Sequence, residues 1–125
     1  MWVGAYYVRV ERKEFGMYTP SRNITTFHIA GFKNYDGALV LDKLKAGKKL
    51  KMVPERDNPH DPEAIQLYYK GTKLGYIPSE DNGLVSVLDF YGHKNVVEAR
   101  IIQVDPERSP WHQVRVGLYI TDKNK

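Results

Sequence analysis

Apolar and polar residues alternate along most of this chain in short stretches, a period of two that sets every second side chain on one face of a strand. Tyr6–Val10 and Thr25–Phe32 are rich in aromatic and β-branched residues and predict strands. Leu50–Val53 predicts another. Ala64–Lys70 places Ile65, Leu67 and Tyr69 on one face, and Lys70-Gly71-Thr72-Lys73 turns the chain into a return strand at Leu74–Ile77. Two last strands follow. Val97, Ala99 and Ile101 face away from Glu98 and Arg100, and Val114, Val116, Leu118 and Ile120 face away from Gln113 and Arg115. The period lengthens in two places. Leu39, Val40, Leu41 and Leu44 suit a short helix stopped by Gly47, and Ser79 caps a second helix carrying Leu84, Val85, Val87, Leu88 and Tyr91, closed by Gly92. Glu11–Asn23, with Gly16, Pro20 and Ser21, predicts a connecting loop.

Six to seven short strands and two short α-helices, without a βαβ rhythm, predict a mostly-β class and a small OB-like β-barrel. At 125 residues the chain has room for one domain, and 42% hydrophobic with 27% charged residues is a globular composition. Residues 1–24 are expected to form an extension with an added strand and loop, 25–120 the domain, and 121–125 a polar tail. The chain has no cysteine, which excludes disulfides, a thiol nucleophile and thiolate metal sites. Apolar runs are too short to span a bilayer and no secretory pattern opens the chain, so a cytoplasmic, soluble protein without a membrane partner is expected. The net charge of +4 inclines it only weakly toward polyanions.

Candidate chemistry concentrates in Glu55-Arg56-Asp57-Asn58-Pro59-His60-Asp61-Pro62-Glu63, with four carboxylates and a histidine in nine residues. Read as a calcium loop from Asp57, it needs glycine at the sixth position and a carboxylate at the twelfth, where Pro62 and Tyr68 stand. His28, His93 and His112 add no ligand spacing, so no metal and no cofactor is expected. Serines 21, 79, 86 and 109 lie in no nucleophile elbow, and no glycine-rich phosphate loop is present. The ordinary reading of the segment is a rigid Asn/Asp/Pro turn. Five lysines between Lys43 and Lys51 are ordinarily a solvated face; with Phe32, Tyr35 and His60 nearby they become a candidate phosphate-attracting patch.

Read together, Ile29-Ala30-Gly31-Phe32-Lys33-Asn34-Tyr35, the helix with Gly47-Lys48-Lys49-Leu50, the Glu55–Ile65 block and Leu74-Gly75-Tyr76-Ile77-Pro78 resemble a HIRAN domain over about residues 25–120. Asn58-Pro59-His60-Asp61 with Ala64-Ile65 and the downstream Gly75-Tyr76-Ile77 are its specific part. The resemblance implies an OB-like barrel that binds single-stranded DNA at free 3′ ends, without catalysis, in DNA repair or replication-fork processing beside a helicase or nuclease partner. It implies a site drawn from Lys33, Asn34, Tyr35, Lys49, Lys51, Asn58, His60, Asp61 and Tyr76. Asp61 would accept a hydrogen bond from the terminal 3′-hydroxyl, and Asn58 would shape the turn or bond to the terminal nucleotide. His60 stands where the family often stacks a tyrosine, and Tyr35 lies one residue beyond the other stacking position, occupied by Asn34. Glu80 and Asp81 follow Ser79 where DNA-binding members carry a lysine. Those departures favour the alternative, an adaptor domain with a degenerate DNA site. A metal-dependent nuclease using Asp57, Asp61 and Glu63 ranks last.

Overall fold

The computed structural model describes residues 21–121, so the strand expected at Tyr6–Val10 lies outside the described residues. Six strands form one antiparallel sheet: β1 (Ser21–His28), β2 (Lys49–Pro54), β3 (Ile65–Tyr69), β4 (Thr72–Tyr76), β5 (Val97–Val104) and β6 (Val114–Thr121). Their order across the sheet is β1-β6-β5-β2-β3-β4. Alternation does its expected work. Leu50 and Met52 of β2, Ile65, Leu67 and Tyr69 of β3, and Val114, Val116 and Leu118 of β6 are all buried on the inner face. Fully burying such a side chain is worth about 1.5–3 kcal/mol, so this inner face is the main source of stability. The β3–β4 hairpin turns on Lys70 and Gly71, both at positive φ (46° and 86°), the twisted two-residue turn that right-twisted strands require.

Register shifts in the β1–β6, β5–β6 and β3–β4 pairs bend the sheet onto itself. At the first of these, the Asn23 amide donates to the carbonyls of Thr25 and Leu118, bracing the irregularity. The mostly-β class and OB-like plan hold, but the sheet does not close through a strand ladder. Its edges meet at one bridge, where Ala30 and Tyr76 exchange two backbone hydrogen bonds of 2.9 Å each. Gly75 makes this approach possible. Its φ is +149°, and a Cβ there would lie 2.4 Å from the Ala30 carbonyl oxygen. The glycine of Gly75-Tyr76-Ile77 is therefore demanded by the seam.

Three sequence expectations change in the structure. The first strand begins at Ser21, earlier than expected, and ends at His28, because Gly31 turns the chain into a 3-10 turn at Phe32–Asn34. The helix expected around Leu39–Leu44 is a 3-10 helix, Asp36–Lys43. Its threefold winding packs Gly37 beneath the Phe32 ring and points Val40, Leu41 and Leu44 inward, leaving Leu39 78% exposed. The second helix, α1 (Gly83–Phe90), starts four residues past Ser79, with Asn82 in the cap position. Gly92 follows it at positive φ as expected.

Candidate functional site

The chain between β2 and β3 is closed at its base by a hydrogen bond from the Glu55 amide to the Ala64 carbonyl. Within it, one local motif occurs twice. The Asn58 side-chain oxygen accepts from the amides of His60 (2.8 Å) and Asp61 (3.0 Å), and an Asp61 carboxylate oxygen accepts from the Glu63 amide (2.9 Å). In each case the intervening residue, Pro59 or Pro62, has no amide to compete and holds its φ near the turn value. The Asn-Pro and Asp-Pro pairs are thus a backbone instruction as well as a source of functional groups.

This loop is tied to the neighbouring strand and helix by side chains. The Asn58 amide donates to Glu55 Oε1 (2.8 Å), and the Tyr76 hydroxyl donates to the same oxygen (2.6 Å). Lys73 Nζ donates to the Tyr76 hydroxyl (2.9 Å) and lies 4.3 Å and 4.4 Å from the ring centres of Tyr35 and Tyr76. Those two rings meet edge to face at 5.9 Å. From the other side, the buried Asn82 amide donates to Asp61 Oδ2 (2.9 Å). Hydrogen bonds from Tyr76 and Asn58, then the charge of Lys73, outweigh burial and hold the Glu55 carboxyl below its ordinary range. Burial, followed by the bond to Glu55, pushes the Tyr76 phenol upward, so it stays protonated and donating.

These tied elements surround a cavity of about 400 Å³ at the seam of the sheet. Asn34, Tyr35, Asn58, His60, Asp61 and Tyr76 line it, together with Ala30, Gly31, Ala64, Ile77 and Ser79. Six of the nine sequence-predicted site residues therefore converge. Asp61 is half-buried and faces the opening with both oxygens anchored, and each oxygen keeps a second lone pair. Asn58 spends its oxygen on two backbone amides, which assigns it to shaping the turn.

The lysines separate from the rest. Lys33 lies over the Trp111 ring at 4.8 Å, outside the cavity lining. Alternation along β2 puts Lys49 and Lys51 on its outer face, and Lys49 pairs at 3.4 Å with Glu98, a carboxylate only 7% exposed that Arg100 also contacts. Lys49 thereby compensates a buried charge. Lys45 donates to the Asp42 carbonyl in its own turn. Sequence reasoning missed Lys73 and Asn82, and it named Glu55 only as one of the four carboxylates of the segment, without its bracing role. Lys73 sat inside an ordinary hairpin, and nothing local links Asn82 to a carboxylate 21 residues earlier. Of the two acids after Ser79, neither lines the cavity, and Asp81 accepts from the Thr25 hydroxyl (3.4 Å). Among the described residues no three His, Asp or Glu side chains are placed to hold a metal, and no helix is long and apolar enough to cross a membrane.

A family model described as the HIRAN domain matches residues 23–121. The chain belongs to this family. Among solved structures, this HIRAN domain is similar to a protein from Lactobacillus plantarum, at 20% identity over 82% of this chain and 97% of that one, with a TM-score of 0.68. It is also similar to the HIRAN domain of human HLTF, at 14% identity over 84% of each chain, with a TM-score of 0.54. At these identities the likeness is one of fold. No curated protein matches the chain. Membership in the HIRAN family supports a nucleic-acid-binding module.

Proposed function

We propose that this HIRAN domain binds single-stranded DNA by its free 3′-hydroxyl end, by recognition alone and without catalysis. The observation that carries the reading is the Asp61 carboxylate, fixed between the Glu63 amide and the Asn82 side chain at a cavity walled by Tyr35, His60 and Tyr76. A terminal 3′-hydroxyl donates a hydrogen bond to a carboxylate oxygen. A continuing phosphodiester has no proton to donate there, and a terminal phosphate brings like charge. Tyr35 and His60 offer ring surface to the last bases, each stack being worth about 1–3 kcal/mol irrespective of sequence. Lys73, seated against both tyrosines, supplies the positive charge that the family's pattern would place at Ser79. A module that reads strand ends serves DNA repair or replication-fork processing, next to a helicase or nuclease.

Fluorescence anisotropy at low salt with short oligonucleotides ending in 3′-hydroxyl or 3′-phosphate tests the reading. The hydroxyl end is expected to bind at least about tenfold more tightly, the value of one charge-assisted hydrogen bond. Asp61→Asn keeps an acceptor for the Glu63 amide and removes the charge, and it should erase the preference while thermal unfolding stays cooperative. Equal affinities of the native protein for the two ends would overturn the proposal. One observation favours the second reading, an adaptor domain: Leu84, Val87, Phe90 and Tyr91 of α1 and its end form an exposed apolar stripe. Failure of every oligonucleotide to bind at low salt would transfer the case to it.

A further inference from the structure

A second, smaller cavity of about 150 Å³ lies between the sheet and the β5–β6 connection, lined by His28, Gln103, Asp105, Arg108, His112 and Arg115. Its groups come from separate elements. His28 of β1 sits opposite Arg115 of β6 in register, and the two imidazoles meet edge to face at 4.9 Å. His112 Nδ1 is 3.2 Å from the Ser109 hydroxyl, and Arg115 donates to the Thr26 hydroxyl at 3.3 Å. Asp105 is the one carboxylate in the lining, and both its oxygens are engaged, by Arg108 Nε and the Glu107 amide at 3.1 Å each. Two guanidiniums and two imidazoles thus share one small space with a single carboxylate. Burial first, and then His112, Arg115 and Arg108, hold the His28 imidazole below its ordinary 6.5. Such a site gains most from a ligand that brings negative charge and several acceptor oxygens.

Two packed turns link the first cavity to this one. Asn34 lines the first cavity, and its 3-10 turn, Phe32–Asn34, packs on the turn Pro110–His112. Lys33 lies over exposed Trp111, and the next residue, His112, lines the second cavity. We infer that the His28–Arg108–His112–Arg115 cavity holds a backbone phosphate of the same strand, further from its 3′ end. This rests on the strand-end reading above. Because the anion favours the charged form of His28, whose imidazole is held below its ordinary 6.5, the contribution of this site grows as pH falls.

The test follows the histidine ring signals of the whole chain by NMR, with inorganic phosphate and with thymidine oligonucleotides of about three and ten residues. Phosphate and the longer oligonucleotide should raise the titration midpoint of His28 and shift the ring signals of His112. The longer oligonucleotide should bind more tightly than the shorter, and R108Q/R115Q, both exposed positions, should remove that gain and flatten the salt dependence by about 0.7 per lost phosphate contact. The 3′-hydroxyl preference should survive in this variant. Unmoved imidazoles, or a length gain that persists in the double variant, overturns the inference. Imidazoles that answer to phosphate while no oligonucleotide binds overturn it too, leaving an anion site alone and refuting the strand-end reading. If both 3′ ends bind equally yet the longer strand shifts the imidazoles, this inference stands and the end preference falls.

Discussion

The Glu55–Ala64 loop and the lysine-rich segment from Lys43 to Lys51 are the two most charged stretches of the described chain, and the fold uses them in opposite ways. In the loop, Glu55, Asn58 and Asp61 bond inward. Asn58 fixes the backbone of His60 and Asp61, Glu55 gathers Asn58 and Tyr76, and Asn82 steadies Asp61, so Asn58, His60, Asp61 and Tyr76 are held around one opening. In the lysine segment, alternation spreads the ammoniums over an outer face, where Lys49 compensates Glu98 and Lys45 caps its own turn. Charge density along the chain is similar in the two; mutual bonding is what differs. A site is found by asking which polar groups hold one another in place.

The contrast breaks most readily at Asn58. Asn58→Ala removes three hydrogen bonds and should cost about 2 kcal/mol of stability by urea unfolding, with oligonucleotide affinity lowered at least tenfold by anisotropy. Retention of both would mean that the loop is not held by this network. Acid sharpens the comparison next. The Glu55 carboxyl is held below its ordinary 4.5, so its contribution is complete above pH 4.5 and is lost as pH falls through the lowered value. The native protein should therefore lose thermal stability more steeply below pH 4.5 than Glu55→Gln does. Glu55 is partly exposed, which keeps the difference small. The smallest effect is expected on the other side of the contrast. Lys51→Ala should change stability by less than about 0.5 kcal/mol and oligonucleotide affinity by less than about twofold, the ordinary result for a solvated position. A loss as large as that of Asn58→Ala would return the lysine face to the binding surface.

Much of this was legible in the sequence because its signals are local. Alternation marked β2, β3, β5 and β6, the Lys70–Lys73 turn marked β4, and Asn58-Pro59-His60-Asp61 with Gly75-Tyr76 marked the two sides of the cavity. What escaped depends on side-chain contacts that the local pattern does not show. The Asp36–Lys43 segment has an apolar pattern that suits either helix type, and the demand for contact between Gly37 and Phe32 decides it. Ser79 is a good cap by residue type, but the helix begins only where Asn82, turned toward Asp61, allows. Lys49 could not be separated from its neighbours without knowing that Glu98 is buried beside it. The lysine that does meet the tyrosines, Lys73, reads locally as part of an ordinary hairpin turn with Lys70, since its position depends on hairpin register.

The single bridge between Ala30 and Tyr76 gives one residue two trades. Through its main chain Tyr76 works as the clasp of the curled sheet; through its phenol it braces Glu55 and carries Lys73. Because the clasp is made of amide and carbonyl, evolution or an engineer is free to re-equip the side chain without undoing the buckle, whereas Gly75, which lets the two ends touch, has no such latitude.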